Sequence, residues 1–229
     1  SSNTEASYFV AEARFLRAYA YLQLMDMYAN VPLVTKVTSE LPKQSNRQEI
    51  FSFVETELNE ISSTLADPGS NEYGRVDKVA AWALLSRLYL NAPVYIGSDM
   101  SSQVITNAEK AISSSYSLNT SDGNGNGSAY DELFLADNNK NGSQNEFIFV
   151  VQFDGLNSQN WGGGTFMVHA PIGGSMNPSI FGVNGGWGGL RTTKALVDKF
   201  EYSVTASNSD GHPTAWSDSR AMFHTDGQN

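Results

Sequence analysis

Two stretches of the chain set a tryptophan beside amides on glycine-rich sequence, and these are where residue type and spacing best suit binding. In Asn157-Ser-Gln-Asn-Trp161 and Asn184-Gly-Gly-Trp187, the indole stands next to Asn160 or Asn184. An indole face can stack on the C–H face of a pyranose ring, while amides meet its hydroxyls. The same tryptophans serve equally well as anchors for loops with little secondary structure, and the residues alone leave both readings open. Arg191, just beyond Trp187, offers donors to a hydroxyl or an ion pair to a neighbouring acid. Tyr95 and Asp99, in the short stretch VYIGSDM, are weaker candidates for the same role. Asp122-Gly-Asn-Gly-Asn-Gly127 matches the first half of a calcium loop, with Asp122, Asn124 and Asn126 at ligand positions. The twelfth position, where a bidentate Glu belongs, is Leu133, with Glu132 one residue short. A flexible Gly/Asn loop is the better reading, and no cofactor is expected.

Covalent chemistry finds little support. IGGSMN lacks the second Gly of a nucleophile elbow, and no predicted strand leads into its Ser175. His169, His212 and His224 are scattered, with no HExxH pair for zinc. GGWGG follows no strand and carries no Lys-Ser/Thr, so it is neither a dinucleotide fingerprint nor a P-loop. The 24 acidic residues do not exclude a glycosidase by count, but nothing singles out an acid and a nucleophile at the required separation. Asp218-x-Arg220 reads as a local ion pair. With no Cys, disulfides, thiolate zinc sites and thiol catalysis are excluded. A net charge of −10 argues against nucleic acid as a partner. The sequence has no transmembrane run and no signal peptide at residue 1, and it reads as an internal piece of a longer protein.

The elements that must position these residues are mostly helical in the first half. Thr4 to Tyr28 is a long helix with two apolar stripes. One is Phe9, Ala13, Leu16, Ala20, Leu24 and Met27; the other is Phe15, Ala18, Tyr19, Leu22 and Met25. Two stripes predict a helix buried between partners. A second helix starts at Ser45 or Asn46 with Glu49 as its capping-box partner, and carries Ile50, Phe53 or Val54, Leu58, Ile61 and Leu65 inward. A third, capped by Asp77, stops at Pro93, and a fourth covers about Ser102–Ser114 with Val104, Ile105, Ala108, Ala111 and Ile112 inward. Trp82-x2-Leu85-Ser86-x2-Tyr89 matches the first-helix half of a tetratricopeptide-type repeat, which makes Trp82 a core residue. Stacked helix hairpins follow for residues 1–118. Residues 119–229 form a loop-rich subdomain, incomplete at both chain ends but part of one continuous fold. There EFIFVVQFD (146–154) is the one predicted strand, by alternation of Phe147, Phe149, Val151 and Phe153. Short helices are expected around Tyr130–Leu135 and from Thr192 or Thr193 to Glu201, and the tail, 207–223, is read as loop with room for one more turn of helix.

EARFLRAYAYLQLMDMYANVPLVT, the AAWALLSRLYLNA helix and GGWGGLRTTKALVDKFE followed by Asp-Ser-Arg, in that order, resemble the SusD/RagB family. The resemblance implies a mainly α fold: tetratricopeptide-like hairpins supporting an irregular half with little β. It implies a non-enzymatic, glycan-binding lipoprotein of the outer-membrane surface that delivers substrate to a SusC-like TonB-dependent transporter. It also implies a lipid anchor on an N-terminal Cys that this chain lacks. Family members often carry an aromatic in the VYIGSDM loop, where Met100 is a departure. The alternatives are a tetratricopeptide-like protein or peptide binder, then a glycoside hydrolase.

Overall fold

In the computed structural model, which describes residues 4–154, 157–158 and 160–225, the first apolar stretch is one unbroken helix, α1 (Thr4–Tyr28). Ala29 adopts a left-handed φ of 62°, and its N–H reaches the Met25 carbonyl at 2.9 Å to close the last turn. The two apolar stripes have different fates. Ala11, Phe15, Ala18, Leu22 and Met25 are buried in one core with residues of the next two helices. Phe9, Ala13, Leu16, Ala20, Leu24 and Met27 are exposed. At about 100° per residue the stripes lie on opposite sides of the helix rather than side by side. The described partners cover only one side, so burial on both is corrected to burial on one.

The cap of α2 (Arg47–Ile61) is the reciprocal box that the sequence predicts. Asn46 Oδ1 accepts the Glu49 N–H at 2.9 Å, and the Glu49 carboxylate accepts the Asn46 N–H at 2.9 Å. The linker before it is tied by a two-residue antiparallel pair, β1 (Val31–Pro32) with β2 (Gln44–Ser45). Asp77 starts α3 (Lys78–Leu90) by accepting the Val79 and Ala80 N–H groups. Its other oxygen accepts the Gly69 N–H and the Tyr116 hydroxyl, each at 2.8 Å, so one buried carboxylate joins three segments.

Pro93 opens a further short helix, α4 (Ala92–Ile96), where its missing N–H is harmless. In α5 (Ser101–Ile112) Val104, Ala108 and Ala111 are partly buried, but Ile105 and Ile112, about 100° around, are exposed against expectation. Ser86 Oγ donates to the Val104 carbonyl at 3.3 Å, consistent with a small residue where α3 and α5 approach. Trp82 is only partly buried, with Lys110 Nζ 5.9 Å from its ring centroid, so it edges the helical packing rather than filling its centre.

EFIFVVQFD forms no strand. Alternation signals a strand only where another strand accepts its backbone bonds, and no strand among the described residues is paired with it here. The Ser117 N–H donates to the carbonyl of Asn145, just before the stretch, and the Asn119 N–H to the Glu146 carboxylate. The consecutive residues Ile148 and Phe149 pack on the helical core, with Phe149 edge-on to Phe15 at 5.3 Å and to Tyr19 at 6.0 Å. The chain accordingly divides into two compact units, Ser1–Asn119 with Ser143–Val150, and Thr120–Gly142 with Val151–Asn229. A single cut near residue 118 does not describe this division, because the chain returns to the first unit.

The second unit is irregular. It contains a 3-10 turn at Asp131–Phe134, α6 (Gly163–His169), a 3-10 turn at Pro178–Phe181, and α7 (Lys194–Val197) running into a 3-10 turn at Asp198–Ser203. Its tail, expected as loop, is an antiparallel hairpin of β3 (Val204–Ser207) and β4 (Pro213–Trp216). Asn208 Oδ1 accepts the Asp210 and His212 N–H groups, and Gly211 takes a φ of 81° that closes the turn. After β4 the Arg220 guanidinium pairs with Asp218, as the spacing predicts, and Tyr202 donates to the same carboxylate. The architecture is mainly α, with tetratricopeptide-like hairpins and an irregular unit carrying little β.

Candidate ligand-binding site

Glycine is what lets two loops of the second unit lie directly against each other. The N–H groups of Trp187, Gly188, Gly189 and Leu190 donate to the carbonyls of His169, Ile172, Ala170 and Ala170, at 2.9–3.0 Å. A Cβ on Gly186 would stand 2.2 Å from the Ile172 carbonyl oxygen, and one on Gly173 2.8 Å from the Gly188 Cα. Gly186→Ala is therefore expected to destabilise the protein by about 2 kcal/mol, by overpacking against backbone that cannot rotate away. Thermal melting with tryptophan fluorescence checks this, since the displaced segment carries Trp187.

The pinned indole is met by one face of α6. Asn160 Oδ1 accepts the Gly162 N–H at 2.8 Å in the turn that leads into this helix. Gly163 takes a φ of 55°, and the Phe153 ring fills the space where its Cβ would be. Phe166 and His169, three residues apart on α6, both reach the Trp187 ring, at centroid distances of 6.2 and 5.2 Å. His169 lies nearly parallel to the indole at 25°. Its Nδ1 is 2.9 Å from the Thr165 carbonyl, an acceptor only, so Nδ1 carries the proton. Trp161 completes the cluster, 6.1 Å from Trp187 and tilted by 43°. Trp187 is 42 % exposed and Trp161 83 %. One indole is thus an anchor with a free side, and the other is almost wholly available.

The remaining candidates separate by what already engages them. Asn184 is exposed on the loop before Trp187. Arg191 donates to the Leu190 and Pro171 carbonyls at 3.0 and 3.4 Å, bracing the same two loops. Asn160 uses its oxygen in the turn and retains its amide donors. Of the other two amides in the first tryptophan stretch, Asn157 donates its N–H and its side-chain amide to Asp154 at 2.7 and 2.8 Å, and Gln159 lies outside the described residues. Tyr95 and Asp99 belong to the helical unit. Tyr95 is 8 % exposed and donates its hydroxyl to Asp26 at 2.7 Å. Burial, then Asp26, pushes this phenol up to about 12, so it stays a donor with no free face for a sugar. Asp99 accepts the Ser101 N–H at the start of α5. Phe166 and His169 were not legible as site residues, because a helix opening on Gly162-Gly163-Gly164 carries no capping side chain to announce it.

In the Asp122 loop the carboxylate accepts the N–H groups of Gly125, Asn126 and Gly127. The Asn124 and Asn126 amides donate to Asp131. Hydrogen bonds between its own groups thus account for the shape of this loop. Among the described residues no group of three or more His, Asp or Glu side chains is placed to hold a metal ion.

Residues 1–90 match a SusD-like family described as starch-binding and associating with the outer membrane. The starch-binding protein SusD of Bacteroides thetaiotaomicron is 36 % identical over 191 residues, 83 % of this chain and 33 % of that protein. A SusD-like protein of Bacteroides fragilis superposes with a TM-score of 0.66 at 28 % identity, over 94 % of this chain and 38 % of that one. A laminarin-binding SusD-like protein gives a TM-score of 0.51 at 25 % identity, over 62 % of this chain and 30 % of that one. The chain spans roughly a third of the length of these relatives.

Proposed function

The chain belongs to the SusD-like family, and from that premise we propose that a protein carrying it binds a glycan at the bacterial surface without altering it covalently. The observation that supports this reading is the indole pair. Trp161 offers an exposed face, and Trp187, locked by α6 and four backbone hydrogen bonds, holds a second ring 6.1 Å away. A ring fixed before ligand arrives, as Trp187 is, loses little freedom on binding. Asn184, the Asn160 amide and any donor left on Arg191 are the polar groups nearest in sequence to meet hydroxyls. Two relatives bear names that specify starch and laminarin, both glucans, so glucans lead the panel of ligands to test. The bound chain would be handed to a SusC-like TonB-dependent transporter, with the protein held at the outer membrane by an N-terminal lipid anchor.

Affinity electrophoresis of the full-length protein, in gels cast with a series of polysaccharides, tests the reading. Retardation by at least one glucan is expected, with no release of reducing sugar on prolonged incubation. Sustained release would make the protein a glycosidase. Free migration in every gel, with peptide found bound instead, would favour a peptide-binding role on the same scaffold.

A further inference from the structure

The second tryptophan stretch carries a reactivity that ligand binding does not use. Asn184 is followed by Gly185, and in such a pair the glycine main-chain nitrogen, with no Cβ beside it, can attack the preceding side-chain amide. The sequence holds four Asn-Gly pairs, at 124–125, 126–127, 141–142 and 184–185. The fold restrains three of them. The Gly125 and Gly127 N–H groups each donate to Asp122 at 2.7 Å, and that negative charge opposes the loss of the proton which attack requires. Asn124 and Asn126 donate their own amides to Asp131, while their oxygens accept the N–H groups of Asn126 and Ser128. Asn141 donates its amide to the Glu132 carbonyl and carboxylate at 2.9 and 3.0 Å. Asn184 differs. It is exposed, and neither it nor Gly185 has a hydrogen-bond partner among the described residues. A Cβ on Gly185 would meet nothing within 4 Å, so the pair has room to rearrange.

We propose that Asn184–Gly185 is a site of spontaneous modification, converting with age to a mixture of aspartate and isoaspartate beside Trp187. The Gly185 nitrogen gives its proton to water and bonds to Cγ of Asn184. The Cγ–Nδ2 bond breaks, and Nδ2 takes a proton back from water and leaves as ammonia. Water then opens the succinimide at either of its two carbonyl carbons. Opening at Cγ yields aspartate; opening at the main-chain carbonyl yields isoaspartate, with the chain routed through Cβ. In sum, one amide and one water become one carboxylic acid and one ammonia. The position gives the change its consequence. Residues 187–190 are bonded to 169–172 and Gly186 abuts the Ile172 carbonyl, so the added backbone methylene must be absorbed before Gly186. A side chain that could donate to a hydroxyl also becomes one that only accepts. That effect on a ligand rests on the glycan reading, whereas the reaction itself does not.

Peptide mapping of the full-length protein tests the proposal, because chymotrypsin separates the pairs into residues 119–130, 136–147 and 182–187. Protein aged in warm, mildly alkaline buffer, folded or in urea, is compared with fresh protein. Mass reads the conversion of amide to acid, and electron-transfer fragmentation reads isoaspartate. In the folded protein, 182–187 is expected to convert at least about tenfold faster than either other peptide, whose pairs must first break a hydrogen bond or two. In urea that advantage is expected to vanish. Gly185→Ala has room for its side chain in the fold but crowds the attacking nitrogen, and is expected to slow its own peptide at least about tenfold without lowering the melting temperature. Conversion of 182–187 no faster than that of the other two peptides overturns the proposal. So does an advantage that persists in urea, which would come from sequence alone, or a Gly185→Ala rate equal to that of the wild type. Product without isoaspartate overturns it as well, since that would mean direct hydrolysis by water. None of these readouts needs a bound ligand, so they are decided separately from the glycan reading.

Discussion

Trp161→Ala is expected to lower the affinity of the full-length protein for the proposed glycan ligand by about 30-fold and to leave its melting temperature unchanged. The expected size is that of a hot-spot aromatic, about 2 kcal/mol, where each 1.4 kcal/mol is tenfold. Melting should not respond, because an indole 83 % exposed contributes little burial to the fold. Trp187→Ala separates the two roles of a tryptophan in such a loop. It removes a ring in contact with Phe166, His169 and Trp161, so it lowers both affinity and melting temperature. Titration calorimetry and thermal melts on the two variants check the pair. If Trp161→Ala binds normally, the exposed indole is not part of the ligand surface.

Glu57→Gln destabilises the helical unit by about 3 kcal/mol, the scale of breaking a largely buried ion pair. Glu57 is only 8 % exposed, and its carboxylate lies 2.8 Å from Arg14 and 2.6 Å from Arg17, joining α2 to α1. The amide would leave Arg17 without its carboxylate, while Arg14 keeps that of Glu60 beside it. Both arginines retain some access to water, which keeps the cost below that of a fully enclosed pair.

The same triad sets a pH dependence. Hydrogen bonds from Arg14, outweighing the desolvation that opposes them and helped by Arg17, hold the Glu57 carboxyl below its ordinary value of 4.5. A folded-state value below the unfolded one means that Glu57 contributes its stability above about pH 4.5 and loses it as pH falls through the folded value. The gap in melting temperature between the wild type and Glu57→Gln should therefore be widest near neutrality and narrow in acid. A gap that stays constant would assign the acid sensitivity to another carboxylate.

Local signals were legible in the sequence; pairings at a distance were not. Asn46 with Glu49, and Asp77 before α3, depend on side chains within three residues of the helix start, so their chemistry is written in the spacing. The extent of α1 and the small Ser86 facing α5 were readable for the same reason. EFIFVVQFD misleads because alternation describes one strand, while a sheet requires a second that the sequence does not name. The β3–β4 hairpin was missed in the opposite way: Asn208 and Gly211 were present, but the flanking strands are short and irregular. Two apolar stripes on α1 foretold two buried faces, although spacing shows only where partners could go. At the site, residue types suggested Trp161 and Trp187 separately. Their approach to 6.1 Å depends on backbone bonds between residues 169–172 and 187–190, which no short motif encodes. Tyr95 has the sequence setting of a loop aromatic, but its hydroxyl bonds to Asp26, sixty-nine residues away in sequence.

The return of residues 143–150 to the helical unit sets the order in which that unit can be finished during synthesis. A polypeptide released at Asn119 would contain all five of its helices but lack Ile148 and Phe149, which close the side of the core beside Phe15 and Tyr19. On the ribosome, α1 to α5 can therefore assemble early only as an unsealed intermediate. The half-buried side chains that cover that side arrive only after the whole 120–142 excursion has been translated.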